Sequence, residues 1–194
     1  MLHLTNLAKK YGSLTAVNNL NLNIKKGEFF GLLGPNGAGK TTIIRMISTL
    51  TPKTSGNIII DNESMDRNLT AIKIMIGVVP QHNNLENEMT AWENLEVHGM
   101  LYKMPKVLRK QKIEELFKFT ELLDRKDDLV SKYSGGMKRK LMIARALMHT
   151  PKMLLLDEPT VGLDAGARRK MWDLLKRLKC NGLTVLLTTH YIEE

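Results

Sequence analysis

Between residues 17 and 24 apolar and polar positions alternate, with Leu20, Leu22 and Ile24 separated by Asn19, Asn21 and Asn23. A period of two predicts a strand with one buried face. Lys26-Gly27-Glu28 reads as a turn, and Phe29-Phe30-Gly31-Leu32-Leu33 is then a short continuous apolar run that predicts a buried strand. Residues 42–47 continue as a helix. Thr51-Pro52-Lys53-Thr54-Ser55-Gly56 breaks regular structure, and residues 57–61 and 74–79 are further strand candidates.

The middle of the chain changes period. Thr90-Ala91-Trp92-Glu93 has capping-box spacing and opens a helix running to about Lys103. Pro105 interrupts, and a second helix follows through Ile113, Leu116 and Phe117, with Glu114 four residues before Lys118. Ser134 is a good N-cap for a helix whose apolar face carries Met137, Leu141, Ala144 and Met148. Met153-Leu154-Leu155-Leu156-Asp157-Glu158 predicts a buried strand ending in two acids. A helix with Met171, Leu174, Leu175 and Leu178 on one face follows, and then a last strand at 185–187. The order predicts an α/β chain with its core in 1–85 and 151–194 and a separate helical lobe in 86–150.

Composition narrows the function. At 194 residues the chain suffices for one substantial domain. Its longest apolar runs fall far short of the roughly 18 residues a membrane helix needs, and Met1-Leu2-His3-Leu4 is not a signal-peptide start. A single cysteine, Cys180, excludes an internal disulfide, and the five scattered histidines offer no metal-site spacing. Cys180 and the 12 methionines read as structural filling. The net charge is +9, yet the basic residues come in short groups such as Lys138-Arg139-Lys140, with no aromatic residues between them. That arrangement argues against nucleic acid. It leaves a solvated surface or attraction to anionic lipid headgroups.

The most specific chemistry is Gly34-Pro35-Asn36-Gly37-Ala38-Gly39-Lys40-Thr41, which fits G-x-x-x-x-G-K-[ST]. Its glycines let successive N–H groups turn toward one anion, Lys40 supplies a mobile positive charge, and the Thr41 hydroxyl suits Mg²⁺. The helix that begins here points its positive end at the same phosphates. A nucleoside triphosphate is implied. Asp157-Glu158 at the carboxyl end of a buried strand lies where α/β sheets bind ligands. There an Asp can hold the Mg²⁺ shell and a Glu can orient or deprotonate water. Tyr133-Ser134-Gly135-Gly136-Met137 offers a second helix N-terminus suited to anions, although an ordinary capped helix explains it better when read alone.

In this order the segments resemble the nucleotide-binding domain of ATP-binding cassette (ABC) transporters, over essentially the whole chain. Ser134-Gly135-Gly136 matches the family's signature segment. Tyr11 stands where the family stacks an aromatic ring on adenine. Gln81, after Val78-Val79-Pro80, matches the residue that touches Mg²⁺ and water and hinges the helical lobe. Gly162-Leu163-Asp164 matches the loop that crosses to a second subunit, and His190 the switch histidine at the γ-phosphate. The resemblance implies a P-loop NTPase core, a mixed sheet with flanking helices, carrying an N-terminal antiparallel β region and a helical subdomain insert. It implies an ATP hydrolase with ATP and Mg²⁺ as its ligands. Nucleotide contacts would come from Tyr11, Gly34, Pro35, Asn36, Gly37, Ala38, Gly39, Lys40, Thr41, Thr42, Ser134, Gly135, Gly136 and Asp164. Thr41, Gln81 and Asp157 would hold Mg²⁺, partly through water. Glu158 would be the catalytic base, assisted by His190, Gln81 and Lys40.

The implied partners are a polytopic membrane subunit and a second copy, or a paralogous cassette, closing on ATP as a head-to-tail pair. That places the chain in the cytoplasm on the inner face of the cell membrane. The signature departs from the commonest form, which begins with Leu and ends with Gln. Met137 cannot make the glutamine's hydrogen bonds. Tyr-Ser-Gly-Gly-Met-Lys-Arg-Lys together with Thr-Thr-His-Tyr-Ile-Glu-Glu is similar to the branch that exports drugs, antibiotics and polysaccharides. An importer subunit and a soluble cassette ATPase acting on ribosomes or nucleic acid remain alternatives. Family domains usually continue past the switch histidine, so the resemblance also implies C-terminal truncation at Glu194.

Overall fold

A computed structural model describes residues 1–190; Tyr191-Ile192-Glu193-Glu194 of the last motif lies outside the described residues. In chain order the strands are β1 (Leu2–Tyr11), β2 (Leu14–Ile24), β3 (Phe29–Leu33), β4 (Ser55–Ile60), β5 (Glu63–Ser64), β6 (Ile76–Val79), β7 (Met153–Asp157) and β8 (Thr184–Thr189). The helices are α1 (Lys40–Ile47), α2 (Leu69–Met75), α3 (Ala91–Leu101), α4 (Lys106–Thr120), α5 (Gly135–Leu147) and α6 (Ala165–Cys180). None of them is long and apolar enough to cross a membrane. The chain falls into two compact units. One comprises Met1–Val78, Lys152–Glu158 and the described residues from Leu178 on; the other comprises Val79–Pro151 and Pro159–Arg177.

The first unit holds two sheets. β2-β1-β4-β5 is antiparallel, and β3-β8-β7-β6 carries parallel pairs β3·β8 and β7·β8. This is the expected α/β core with its antiparallel β region. Ile43, Ile44 and Ile47 of α1 share a core cluster with Leu2 and Ile60 of one sheet and Leu155 and Leu186 of the other. Each such side chain contributes about 1.5–3 kcal/mol when fully buried. Because α1 starts in the phosphate loop, this packing fixes the loop.

Two expectations need correction, and one strand was not foreseen. The run 29–33 is not a buried strand: β3 occupies a sheet edge, and Leu33 is 56% exposed. Burial on both flanks needs a neighbour on each side. Residues 74–79 are not one strand, because α2 takes Ile74 and Met75 and β6 begins at Ile76. Asn68 caps α2 by accepting from the Ala71 N–H at 3.2 Å. β1 is an unforeseen strand. Its alternation breaks at a bulge where Asn6 takes φ 50° and the register shifts between Leu4 and Leu7.

The second unit is helical. α3 opens with the expected capping box: Thr90 Oγ1 accepts from the Glu93 N–H at 3.1 Å, and Glu93 accepts from the Thr90 N–H at 2.7 Å. Trp92 of α3 stacks on Phe117 of α4 at 6.1 Å. α5 packs against both helices, and Leu141, Ile143 and Ala144 are among its buried residues.

Candidate functional site

The phosphate loop ends on Gly39, whose φ of 86° is the left-handed conformation that favours glycine. A Cβ there would stand 2.4 Å from the Ala16 carbonyl oxygen, so only glycine lets the loop lie against the start of β2. α1 begins at the next residue with no side chain capping it. The N–H groups of its first turn are therefore offered to the loop. Lys40 is buried, and its Nζ donates to the carbonyls of Gly34 at 2.6 Å and Pro35 at 3.1 Å. It also stands 3.4 Å from a Glu158 carboxylate oxygen.

The carboxylates are set by the parallel register of β7 and β8, in which Asp157 faces Thr188. Asp157 Oδ1 accepts from Thr188 Oγ1 at 2.7 Å and from Thr41 Oγ1 at 3.1 Å. Glu158 leaves the strand with φ 49°, and its N–H donates to Thr188 Oγ1 at 3.0 Å. Glu158 Oε2 lies 2.9 Å from His190 Nδ1. Both carboxylates are buried. Six residues of the first unit are thus connected: the side chains of Lys40 and His190 meet the Glu158 carboxylate, those of Thr41 and Thr188 meet Asp157, and the Glu158 backbone N–H joins the two sets through Thr188. Lys40 and His190 flank Glu158, one at each carboxylate oxygen, and the Lys40 cation can offset the cost of burying that charge.

Tyr11 ends β1; the residue is 47% exposed, and Lys9 Nζ lies 4.7 Å from its ring centre. It pairs with Leu14 across the hairpin turn, at the end of the hairpin where Ala16 meets Gly39. Pro35, Asn36, Gly37 and Ala38 are exposed, and Thr42 lies in the first turn of α1.

The second unit carries the remaining candidates. Ser134 caps α5, its Oγ accepting from the Met137 N–H at 3.3 Å. Asp164 caps α6, its Oδ1 accepting from the Ala167 N–H at 2.9 Å. A Cβ on Gly136 would come within 3.1 Å of Ala167 Cβ, so glycine lets the two helix starts approach. Between them lies a cleft of about 470 Å³, lined in part by Ser134, Gly136, Met137 and Asp164. Gln81 is an exposed loop residue just after β6.

Two residues escaped the sequence reading. Thr188 joins Asp157 to the backbone of Glu158, and only the β7–β8 register reveals it. Arg139 is buried, although it sits in a run of charges.

Can this set hold a nucleotide with Mg²⁺? The glycine cradle and uncapped α1 offer anion-directed N–H groups, and the Thr41 hydroxyl and Asp157 carboxylate are hard oxygen donors on one spot. The residues fit.

Comparison with known proteins agrees with the geometry. Residues 17–161 match the family model described as ABC transporter. The chain is 42% identical to the Nod factor export ATP-binding protein I of Cupriavidus metallidurans, over all of this chain and 64% of that protein. It is 43% identical to the linearmycin resistance ATP-binding protein of Bacillus subtilis, over all of this chain and 62% of that protein. The chain thus spans less than two thirds of these relatives' length. A dimeric ATP-binding cassette in a post-hydrolysis state, bound to ADP and Pi, superposes with a TM-score of 0.87 at 36% identity, over all of this chain and 89% of that one.

Proposed function

We propose that this chain, which belongs to the ABC transporter family, is the ATP-binding and ATP-hydrolysing part of an exporter, coupling closure of two cassettes around ATP to transport through a separate membrane subunit. The observation that carries the reading is the network joining Lys40, Thr41, Asp157, Glu158 and His190. Export is favoured over import because the relatives named above are described by export and by linearmycin resistance. A second cassette is supported by the dimeric state of the similar structure. The resulting location is the inner face of the cell membrane.

In this reading the phosphates of ATP lie against the α1 N-terminus and Lys40. Thr41 and Asp157, with Gln81, would hold Mg²⁺, which supplies charge neutralisation at the phosphates. Glu158 accepts a proton from the attacking water, and the positive φ at this residue carries its side chain away from the strand line. His190 orients Glu158 and meets the γ-phosphate. Ser134 and Gly136 would complete the site of the opposite cassette with a second helix N-terminus. Tyr11 would stack adenine on the ring face opposite Lys9.

Glu158→Gln keeps the shape of the site and removes the base. In the full-length protein it is expected to bind ATP as the wild type does while turnover falls about 10²–10⁴-fold. Affinity capture with this variant and MgATP from solubilised membranes is expected to recover a polytopic membrane protein. Undiminished turnover would remove Glu158 from the role of base, and capture of ribosomal proteins without a membrane protein would replace the exporter by a soluble cassette.

A further inference from the structure

The helix that begins at the signature segment also holds the loop that carries Gln81. Arg139, one turn into α5 and 6% exposed, donates from Nη1 to the carbonyl oxygen of Pro80 at 2.7 Å. Proline locks its own φ and has no N–H, so this carbonyl is the polar handle that Pro80 offers. Arg145, farther along α5, donates from Nη1 to the Asn84 carbonyl at 2.7 Å and from Nη2 to the Asn84 side-chain oxygen. Lys138 Nζ donates to Asn87 Oδ1 at 3.2 Å. The far end of the loop is tied to α3: the Glu86 N–H donates to Asn94 Oδ1 at 2.9 Å, and Asn94 Nδ2 donates back to the Glu86 carbonyl at 3.0 Å.

The backbone is therefore gripped at 80, 84 and 86 by helices of one compact unit, whose boundary falls at Val79. Guanidinium groups suit this task because their donors are planar and pre-organised. Gln81 itself projects from the gripped segment as an exposed side chain. A loop held at three points does not bend freely between them, so Gln81 is fixed to the helical unit.

We propose that Arg139 is a positioning residue, which by holding the Pro80 carbonyl makes Gln81 move together with Ser134 at the start of α5. The consequence rests on the ATPase reading of Gln81: the two nucleotide-contacting elements of this unit are delivered to their phosphates in one step. Arg139 touches no nucleotide in this account, and its effect on catalysis passes entirely through Gln81.

The test is a double-mutant cycle in the full-length protein. Arg139→Met is expected to lower kcat for MgATP about tenfold while KM for ATP stays within about twofold, the signature of lost positioning. In a Gln81→Ala background the same change is expected to have no further effect. Arg139→Lys, which keeps a donor, is expected to restore most of the rate. Amide hydrogen exchange in residues 82–88 of the nucleotide-free Met variant is expected to quicken while α3 stays protected. Losses that multiply in the double variant, a wild-type kcat, or unchanged exchange would each overturn the proposal. Should the Met variant fail to fold, Arg139→Gln carries the same cycle, with Arg139→Lys again as the rescue. A wild-type protein that hydrolyses no ATP with its membrane subunit would sink the ATPase reading instead, and exchange in 82–88 alone then decides whether Arg139 holds the loop.

Discussion

Acidification from pH 7.5 to 5 should destabilise the helical unit through one residue, His98. Its ring lies on α3, 5.0 Å from the Tyr102 ring and 5.9 Å from the His149 ring, and Tyr102 in turn stacks on His149 at 3.9 Å. Its Nε2 is buried without a hydrogen-bond partner. Burial first, then the Arg145 cation and then His149 lower its pKa from 6.5 to about 4. The folded state therefore favours the neutral ring, whereas the unfolded chain binds a proton near 6.5. Stability is complete above that value, falls as pH drops through the window between 6.5 and about 4, and loses nothing more from this group below it. At pH 5 the two protonation equilibria differ by about 2 kcal/mol, and partial solvent access to the half-buried ring brings the expected loss to about 1–2 kcal/mol. Both tryptophans, Trp92 and Trp172, belong to this unit, so urea unfolding followed by their fluorescence reports on it directly. The wild type should lose about 1–2 kcal/mol more between the two pH values than His98→Phe, in which the other titrating groups are unchanged. Equal losses in the two proteins would refute the reasoning.

Two further substitutions probe the first unit. Gly39→Ala forces a Cβ to 2.4 Å from the Ala16 carbonyl at φ 86°. It should cost at least about 1–3 kcal/mol of backbone strain and sharply weaken ATP binding; unchanged thermal unfolding and nucleotide titration would contradict the cradle. Thr188→Val keeps volume but removes the donor to Asp157 and one acceptor of the Glu158 N–H. A loss of about 1–3 kcal/mol and a lower kcat are expected, with recovery in Thr188→Ser. A valine variant with wild-type stability and rate would show that Thr188 positions nothing.

How much of this was legible in the sequence depends on the range over which each signal acts. The phosphate loop was readable because its motif lies within eight consecutive residues, and the α3 and α5 caps because each closes over three. The pair Glu158 and His190 is 32 residues apart, and no local period announces it; the family resemblance named the two residues separately and not their contact. β1 escaped because its bulge breaks the alternation that would have betrayed it. β3 looked buried because an apolar run reports on hydrophobicity, while burial depends on whether a second strand arrives.

Arg139 shows the same limit for charge. In the run Lys138-Arg139-Lys140 the three side chains look alike, and a solvated surface is the natural reading. Helical phase separates them. Arg139 falls three, four and seven residues before buried Met142, Ile143 and Ala146, on the face that α5 turns inward. A charge on an apolar face is costly unless it is hydrogen-bonded, and here it meets the Pro80 carbonyl. The signal was therefore present as a conflict between phase and polarity. Such a conflict marks a residue whose burial has to be justified by what it holds, and Arg139 holds the residue next to Gln81.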